Sequence, residues 1–434
     1  MVISDLDEEL AKTPYQYADK NSLRNGWLSS HELESPRQRL THCVSALQAR
    51  FTHVESVTTD LMFLVNLRST VDYQRMLPWL SVHDELWHQA AERLGTLRVC
   101  PIEFHNKPIG QVVAFSWTMD MILNNLRSAK KEALVQLASV VDQCHQLPTI
   151  IGLGAAIPSL IEKDLYLRFR DRGTSLVSGH HSTVLATIEI LKRAMTQPLY
   201  SIAILGVGKI GRSAAVAVAE EFSRYDLKKL YLVDPNFCVP PHFMEKILSQ
   251  SIEVEKISDY SELKEADAIL GFPSAVDFPL DRYLLQGGKL KSGALIINDA
   301  QPPCLSWNIA SQLWSSGLRV YSVATSHPAV KTNICFEQHI GGDDSNCFYS
   351  CLSEIIAVQK QLEKGRRIDC LIGDVNTERL PEIKSWHQEA GITYPLLPYG
   401  DTAYARSIQT DKKYIQLADG SKHMSTPMEE KIFM

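Results

Sequence analysis

Three glycines, Gly206, Gly208 and Gly211, have the G-x-G-x-x-G spacing of a turn that binds a dinucleotide. The mostly apolar residues 201–205 precede them and predict a buried strand, and a helix is predicted from Arg212 to Tyr225. In such a unit the first glycine permits the tight turn, the second lets the backbone approach a pyrophosphate, and the third lets helix and strand pack closely. The pyrophosphate then lies at the helix N-terminus. A glycine turn with only a structural role is the alternative.

Three other residues of this unit are expected to contact the cofactor. Lys209 and Ile210 lie between the second and third glycines, where the chain passes the phosphates. Asp234 ends the next predicted strand, residues 229–234. A carboxylate at that position accepts hydrogen bonds from the 2′-hydroxyl of the adenosine ribose and repels a 2′-phosphate, which favours NADH.

A polar cluster, residues 178–183, lies just before the cofactor unit and leads into a helix predicted from Val184 to Met195. Ser178 and His181 are candidate catalytic groups, because their side chains can donate hydrogen bonds to an oxyanion. Capping of the helix by Ser and Thr is the alternative. A metal site at the two adjacent histidines is not expected, because adjacent side chains diverge on a helix and no Cys or carboxylate stands at ligand spacing.

The elements that must position these residues alternate between strand and helix from Ser201 to Ala324. The alternation yields six strands, which is the number in a doubly wound sheet of order 3-2-1-4-5-6. The loops after the strands then share one edge, so we expect Pro273, Ser274 and Asp299 to face the cofactor. The predicted class is α/β, with a Rossmann doubly wound parallel sheet and an N-terminal α+β substrate domain.

The N-terminal part predicts a strand at 61–66, a hairpin over 97–115 and one long helix from Thr118 to Gln146. Arg127, Lys130 and Lys131 on that helix form either a solvated face or a docking surface for an acidic carrier. The apolar, glycine-rich residues 149–158 form either core or the wall of an acyl tunnel. The predicted division is an extension at 1–59, a substrate domain at 60–196, a Rossmann domain at 197–345 and C-terminal helices with a tail at 346–434.

Composition narrows the class of protein. The chain has 434 residues, 45% of them hydrophobic and 22% charged, which is typical of globular proteins. Its net charge of −6 argues against general nucleic-acid binding. The acidic N-terminus is not a secretory signal, and no apolar run is long enough to span a membrane. The 9 scattered cysteines, without a CxxC, suggest reduced thiols in a cytoplasm. We therefore expect a cytoplasmic enzyme without a metal site, which can form a homo-oligomer.

These motifs together resemble a known family, the cyanobacterial long-chain acyl-(acyl carrier protein) reductases, which form aldehydes. The resemblance runs from Asp60 to about Tyr394 and rests on the order of short motifs along the chain. In that order they are Met62–Val65, His105–Lys107, Gly152–Gly154, Thr174–Thr183, the glycine turn, Ala266–Ile269, Ile297–Asp299, Cys335–Phe336, Cys351–Glu354 and Gly373–Asn376.

The resemblance implies a reaction and a nucleophile. In that family an acyl thioester is reduced with NADPH to a fatty aldehyde through the cysteine of a Cys-Phe pair, and Cys335–Phe336 matches that position. A cysteine thiolate attacks the thioester, and the acyl-enzyme is then reduced to the aldehyde. Each oxyanion donor is worth roughly 3–4 kcal/mol in such a transition state. The implied substrate is a thioester of acyl carrier protein or of coenzyme A.

The chain departs from the family pattern at three positions. His180 stands where the family has Asn, and Ser182 stands where it has its single His. Asp234 favours NADH, whereas the family is associated with NADPH. The choice between the two cofactors therefore stays open on the sequence alone.

Two other functions remain in competition. One is a two-domain dehydrogenase of a small polar substrate, similar to shikimate dehydrogenase, which would need an acid/base Lys–Asp pair that the first domain does not show. The other is a dinucleotide-binding partner protein without catalysis, which the long terminal extensions suggest.

Overall fold

The structure is a computed structural model that describes residues 60–69, 72, 84–144, 146–236, 239–274, 278–300, 303–332, 346–368 and 370–401, with part of 40–48. Its strands are β1 (Leu61–Asn66), β2 (Thr96–Phe104), β3 (Lys107–Phe115), β4 (Ile150–Leu153), β5 (Ser175–Val177), β6 (Ser201–Leu205), β7 (Lys229–Val233), β8 (Glu253–Ile257), β9 (Ala268–Gly271), β10 (Leu295–Asn298), β11 (Arg319–Ser322), β12 (Thr325–Ser326), β13 (Val330–Thr332), β14 (Cys347–Phe348) and β15 (Leu397–Pro398). Its helices are α1 (Asp84–Leu94), α2 (Met119–Asn124), α3 (Leu126–Asp142), α4 (Ile157–Phe169), α5 (His180–Ala194), α6 (Lys209–Phe222), α7 (Pro241–Leu248), α8 (Pro279–Leu285), α9 (Trp307–Ser315), α10 (Ser350–Glu363) and α11 (Leu380–Ala390).

The second sheet is the predicted Rossmann sheet. Its strand order is β15-β11-β10-β9-β6-β7-β8, and all pairs are parallel except β11 with β15. Numbered from β6, the six parallel strands have the order 3-2-1-4-5-6, as the sequence predicts. The fold class is thus confirmed as α/β with a doubly wound sheet.

The first sheet is mixed and has the order β13-β2-β3-β1-β4-β5. The predicted hairpin joins β2 to β3, and its two turn residues, His105 and Asn106, have φ of 51° and 60°. β1 lies between β3 and β4 and is parallel to both. All six residues of β1 are buried, which fits a central parallel strand whose two faces are both covered.

Two late segments complete the first sheet and its helical layer. β13, from the range predicted as Rossmann domain, pairs antiparallel with β2 at the sheet edge. Helix α10 packs on β4 so closely that a Cβ on Gly152 would lie 1.8 Å from Ile355 Cδ1. The apolar core is continuous from β1 to β6. The two sheets therefore share one packed interior. The predicted domain boundaries at residues 196 and 345 pass through elements that contribute to it.

Two predicted helices differ from the observed ones. The predicted helix at 118–146 is divided at Asn125, whose φ of −144° and ψ of 58° are not helical, so that α2 and α3 are separate. The helix predicted from Val184 begins at His180, because Gly179 takes the left-handed conformation (φ 74°) that ends the preceding segment. Residues 180–183 consequently form the first turn of α5.

Candidate active site

A cavity of about 260 Å³ lies between the carboxyl edge of the Rossmann sheet and the helices of the first sheet. One wall is formed by the glycine turn and by the chain after β9 and β10. The opposite wall is formed by residues of α2, α3 and α4 and by the first turns of α5 and α10. This edge is where doubly wound sheets bind their ligands.

The glycine turn has the geometry that a pyrophosphate site needs. Gly206 has a φ of 80°, and a Cβ on Gly211 would lie only 1.8 Å from the carbonyl oxygen of Gly206. Gly208, by contrast, has no atom within 4 Å of its Cβ position and lines the cavity. It is also the N-cap of α6, where no side chain caps the first amide groups. The turn therefore leaves both space and N–H donors for a phosphate.

Asp234 follows β7, and its carboxylate is hydrogen-bonded to the glycine turn. Its Oδ2 accepts the N–H of Val207 at 2.9 Å, and its Oδ1 accepts the N–H of Asn236 at 2.8 Å. Each carboxylate oxygen has a second lone pair, so the side chain can still accept a hydrogen bond from a ribose hydroxyl.

Lys209 lines the cavity but is tied to the opposite wall. Its Nζ forms an ion pair with Oε1 of Glu162 on α4. The other oxygen, Oε2, accepts the N–H of Gly373 at 3.2 Å. Ile210 lines the cavity next to it and packs against the apolar core. Both residues between the second and third glycines therefore line the cavity, and Lys209 in addition links its two walls through Glu162.

The chain after β9 and β10 brings Pro273, Ser274 and Asp299 to the cavity, as predicted. A Cβ on Gly206 would lie 2.8 Å from the carbonyl oxygen of Phe272, so this chain packs directly on the glycine turn. Burial raises the pKa of the Asp299 carboxyl well above its usual range, and a hydrogen bond from Ser350 opposes the rise. Asp299 is therefore a candidate proton donor.

The start of α5 contributes Ser178, His180 and Thr183 to the cavity. The Oγ of Ser178 is buried and has no hydrogen-bond partner among the described residues. An unpaired buried hydroxyl that lines a cavity is available to a ligand. His181, the other predicted catalytic residue, does not line the cavity; its ring is buried between α5, α10 and Asn376.

His180 takes the place beside the cavity that the sequence analysis expected of His181. Its Nδ1 lies 3.1 Å from the carbonyl oxygen of Gly373, which can only accept, so Nδ1 carries the proton. Burial is the main cause that lowers the pKa of His180, and the ring is therefore neutral near pH 7. Nε2 is then a hydrogen-bond acceptor that can serve as a base.

The start of α10 brings Tyr349, Ser350 and Cys351 to the same cavity. The Oγ of Ser350 lies 3.1 Å from Oγ1 of Thr183 and 3.5 Å from Oδ1 of Asp299. A chain of hydroxyl and carboxyl groups therefore crosses the cavity floor from α5 to β10. Such a chain can pass a proton between the cavity and Asp299.

Cys351 is the one cysteine of the described residues that lines the cavity. Burial chiefly raises the pKa of its thiol, to about 12. The thiol is therefore protonated at neutral pH and is a weak nucleophile. Cys335, the predicted nucleophile, lies outside the described residues. The described chain resumes at Asn346, three positions before the cavity residue Tyr349.

A buried polar network joins the two helix starts behind the cavity. Glu354 on α10 is fully buried, and its Oε2 accepts the N–H of Ser182 at 2.7 Å. The Ser182 hydroxyl lies 2.7 Å from Nε2 of His387, whose Nδ1 lies 2.9 Å from the Tyr394 hydroxyl. Burial lowers the pKa of His387 to about 4, so this ring is neutral.

His181 belongs to the same network. Its Nε2 accepts the N–H of Asn376 at 3.4 Å, so Nδ1 is the nitrogen that carries a proton, and it lies 3.7 Å from Oε1 of Glu354. The pKa of Glu354 is lowered: burial opposes ionisation, but His181 and the Ser182 amide outweigh it. Glu354 is an ionised acid that fixes the start of α10 against the start of α5.

The outer end of the cavity is apolar. Met119, Ile122 and Leu160 line it, together with Leu123 and Leu126 at the surface. Leu123 is 46% exposed and Leu126 is 59% exposed, which is unusual for leucines grouped at one opening. The cavity therefore leads from polar groups at the strand ends to an apolar mouth.

Within the described part of the chain, no three His, Cys, Asp or Glu side chains are grouped so that they could bind a metal ion. The helices described there include none with the length and apolar content needed to cross a membrane.

No protein-family model and no curated protein matches the chain. Among solved structures it is similar to the shikimate dehydrogenase of Mycobacterium tuberculosis, with a TM-score of 0.34 and 10% identity over 75% of this chain and 98% of that one. It is also similar to a chorismate mutase/shikimate 5-dehydrogenase fusion protein from Clostridium acetobutylicum (TM-score 0.29, 11% identity, 77% of this chain and 99% of that one).

A third similar structure is a 3-hydroxyisobutyrate dehydrogenase from Salmonella typhimurium, with a TM-score of 0.21 and 17% identity. The match covers 44% of this chain and spans 61% of that protein's length. Scores and identities this low support no transfer of activity, so the function is inferred from the cavity.

The structure brings most of the predicted site together. Gly208, Lys209, Ile210 and Gly211 of the glycine turn line the cavity, together with Pro273, Ser274, Asp299 and Ser178. Gly206 and Asp234 do not line it, and Asp234 is hydrogen-bonded to the turn through the N–H of Val207. The sequence analysis did not identify His180, Ser350 or Glu354 as site residues. Glu354 was quoted within the Cys351–Glu354 motif, and its position one turn after the cavity residue Ser350 was the available signal.

Proposed function

We propose that the protein is a nicotinamide-dinucleotide-dependent oxidoreductase, and that its substrate is an acyl thioester that it reduces to an aldehyde. The dinucleotide part is supported by the open space and free N–H groups at Gly208 and by the carboxylate of Asp234. When bound there, the nicotinamide supplies the hydride. The remaining chemistry falls to side chains of this chain.

The observation that supports an acyl substrate is the two-ended character of the cavity. Leu123 and Leu126 expose apolar surface at the mouth, where a hydrocarbon chain can lie. Ser178 and His180 stand at the inner end, where a carbonyl group would arrive. The unpaired hydroxyl of Ser178 is the candidate donor to the carbonyl oxygen as it gains charge.

Cys335 is proposed as the nucleophile, on the resemblance to the aldehyde-forming reductases. Its thiolate would form a bond to the carbonyl carbon while the bond from that carbon to the carrier sulfur breaks. The carrier thiolate then takes a proton, for which Asp299, through Ser350, is the candidate donor. Overall, one thioester, one hydride and one proton give one aldehyde and one thiol.

Mass spectrometry of the protein after incubation with acyl thioesters, without cofactor, tests this proposal. We expect an acyl adduct on Cys335, its loss in Cys335→Ser, and its retention in Cys351→Ser, because the Cys351 thiol is held protonated. An adduct that disappears in Cys351→Ser instead would assign the nucleophile to Cys351. Absence of any adduct or aldehyde with thioesters of acyl carrier protein and of coenzyme A would contradict the proposed substrate.

A second candidate, oxidation or reduction of a small polar substrate, is favoured by one observation. The Lys209–Glu162 pair joins an ammonium group that lines the cavity to a carboxylate of α4. Lys209 belongs to the glycine turn, whereas the acid/base pair of such a dehydrogenase was expected wholly in the first domain. A panel of hydroxy acids and keto acids with both cofactors would test it. Under this alternative Lys209→Met abolishes turnover while Cys335→Ser does not. Tight dinucleotide binding without turnover of either substrate class would favour the non-catalytic partner protein.

A further inference from the structure

Glu162 is a buried acid that does not line the cavity and has no part in the proposed reaction. It lies in the second turn of α4 and is only 6% exposed. Its two carboxylate oxygens have partners on different parts of the chain. Oε1 pairs with Nζ of Lys209 at the glycine turn, and Oε2 accepts the N–H of Gly373 at 3.2 Å. A buried charge that is paired and hydrogen-bonded on two sides is held in one position.

Gly373 connects Glu162 to His180. Its N–H donates to Glu162, and its carbonyl oxygen accepts Nδ1–H of His180 at 3.1 Å. The residue has a φ of 84°, and a glycine in this region has wide conformational freedom, so the contact with Glu162 limits where its carbonyl group can point. The hydrogen bond at Nδ1 orients the ring and leaves Nε2 as the acceptor. Glu162 is therefore one residue removed from the candidate base.

Charges on three neighbouring helices act on the His180 ring. Burial is the largest cause acting on the pKa of His180 and lowers it; the carboxylates of Glu162 on α4 and Glu354 on α10 raise it, and the ammonium of Lys209 on α6 lowers it. The same cavity is also lined by Asp299, Tyr349 and Cys351. The two members of the Lys209–Glu162 pair therefore act on the ring in opposite directions.

We infer that Glu162 is a positioning residue that links the protonation of His180 to the occupancy of the glycine turn. Lys209 lies at the turn, where the phosphates of a dinucleotide would lie, so a phosphate oxygen competes with Glu162 for its Nζ. The Glu162 carboxylate then acts on His180 without the opposing ammonium, and the ring accepts a proton more readily. The control of His180 by Glu162 is independent of the proposed function, whereas the link to the glycine turn rests on its dinucleotide part.

Titration of His180 by NMR in the full-length protein without ligand tests the first part. A spectrum of His180→Gln assigns its ring signals among those of the 14 histidines. We expect the midpoint of the titration to move to lower pH in Glu162→Gln and to higher pH in Lys209→Met, because the two variants remove charges of opposite sign. Asp164→Asn is the matched control on α4, where the carboxylate pairs with Lys130 at 2.9 Å, and should leave the midpoint in place.

The opposite signs distinguish this role from a general loss of packing, which would move the midpoint in the same direction in both variants. A midpoint that moves alike in both folded variants, or in neither, would overturn the role of Glu162. Thermal unfolding checks that each variant is folded. If Glu162→Gln does not fold, Lys209→Met decides alone, and a midpoint that does not rise in it would overturn the inference.

ADP-ribose tests the link to the glycine turn, because it carries the pyrophosphate and lacks the nicotinamide ring that could itself contact His180. We expect saturation with ADP-ribose to move the wild-type midpoint to higher pH, and to move it less than half as far in Glu162→Gln. By reciprocity, calorimetry should show wild-type affinity for ADP-ribose to be at least about threefold greater on the acidic side of the midpoint than on the alkaline side.

An equal movement of the midpoint in the wild type and in Glu162→Gln would overturn the link through this carboxylate. Absence of ADP-ribose binding would contradict the dinucleotide part of the proposed function and the link with it. The titration without ligand would still decide whether Glu162 controls His180, so the failure of one proposal can be told from the failure of the other.

Discussion

The surroundings of Asp299 favour the neutral form of its carboxyl. Burial raises its pKa, and Ser350 supplies one hydrogen bond at 3.5 Å. The other titratable groups that line the same cavity are His180, Lys209, Cys351 and Tyr349. A neutral acid beside a hydroxyl chain is able to give up a proton during a reaction, which an ionised one is not.

Asp299→Asn should flatten the dependence of stability on pH. Because the folded pKa is raised, the folded protein binds more protons than the unfolded chain above about pH 4, and stability falls as pH rises through that window. Each pKa unit of the rise is worth about 1.4 kcal/mol. The asparagine does not titrate, so its melting temperature between pH 5 and pH 8 should decline less than that of the wild type. A parallel decline in both proteins would contradict the raised pKa.

Residue types alone predicted part of this site. Asp299 and Ser178 were predicted because each follows a strand or starts a helix at the expected edge. His180 and His181 could not be separated in that way, because adjacent residues on a helix point in different directions by about 100°. The start of α5 at His180, four residues earlier than predicted, decides which ring lines the cavity.

At the scale of elements, α6 depends on two glycines for different reasons. Gly211→Ala would press a methyl group on the carbonyl oxygen of Gly206, so we expect a loss of about 3 kcal/mol in unfolding free energy, as for other overpacked sites.

Gly208→Ala places its methyl group where no other atom lies within 4 Å and should cost no more than about 1 kcal/mol in unfolding free energy. Its methyl group would occupy the phosphate space, so dinucleotide affinity should fall at least about tenfold. Chemical denaturation measures the unfolding free energy of each variant, and calorimetry measures the dinucleotide affinity. An unchanged affinity in Gly208→Ala would contradict a phosphate site at this glycine.

The start of α10 depends on Glu354. Glu354→Gln removes a buried charge and points an amide N–H at Nδ1–H of His181, so we expect a loss of about 3 kcal/mol at pH 7. Because the folded pKa of Glu354 is lowered, its stabilisation is complete above the unfolded pKa of about 4.3 and is lost as pH falls below it. The difference between the two proteins should therefore shrink towards pH 3. Glu363→Gln, on the exposed end of the same helix, should change stability by less than about 0.5 kcal/mol.

Periodicity predicted the elements better than it predicted their ends. The alternation of strand and helix after Ser201 specified the strand order of the second sheet, because parallel strands need crossover helices. The break at Asn125 and the position of α10 were not predictable in the same way. The first depends on a single backbone conformation, and the second on Gly152 accepting Ile355 from a segment two hundred residues later.

At the scale of the whole molecule, residues 371–377 form a crossing segment that holds the two sheets together. Leu371 is bridged to Val177 of the first sheet, and Asp374 forms an ion pair with Arg212 of α6. Thr377 donates to Glu220 of the same helix at 3.2 Å. Together with the Lys209–Glu162 pair, these contacts connect the glycine turn to both layers.

A fragment of residues 1–196 should therefore not fold by itself. It lacks β13, α10 and the crossing segment, so residues such as Ile150 and Val177 would lose their cover. We expect no cooperative thermal transition by circular dichroism, and recovery of one when the fragment is mixed with residues 197–434. A sharp transition of the fragment alone would show that the first sheet is an independent unit.

The strand β13 also bears on the order of events during synthesis. Strands β1 to β5 have all been made once the ribosome has passed Val177, whereas β13, the partner of β2 at the edge of the finished sheet, follows only with Val330–Thr332. During that interval the whole Rossmann unit is being made, and an open strand edge can pair with another nascent chain. We therefore expect the β2 edge to be open to other chains during this interval of translation, whereas β13 covers it in the finished protein.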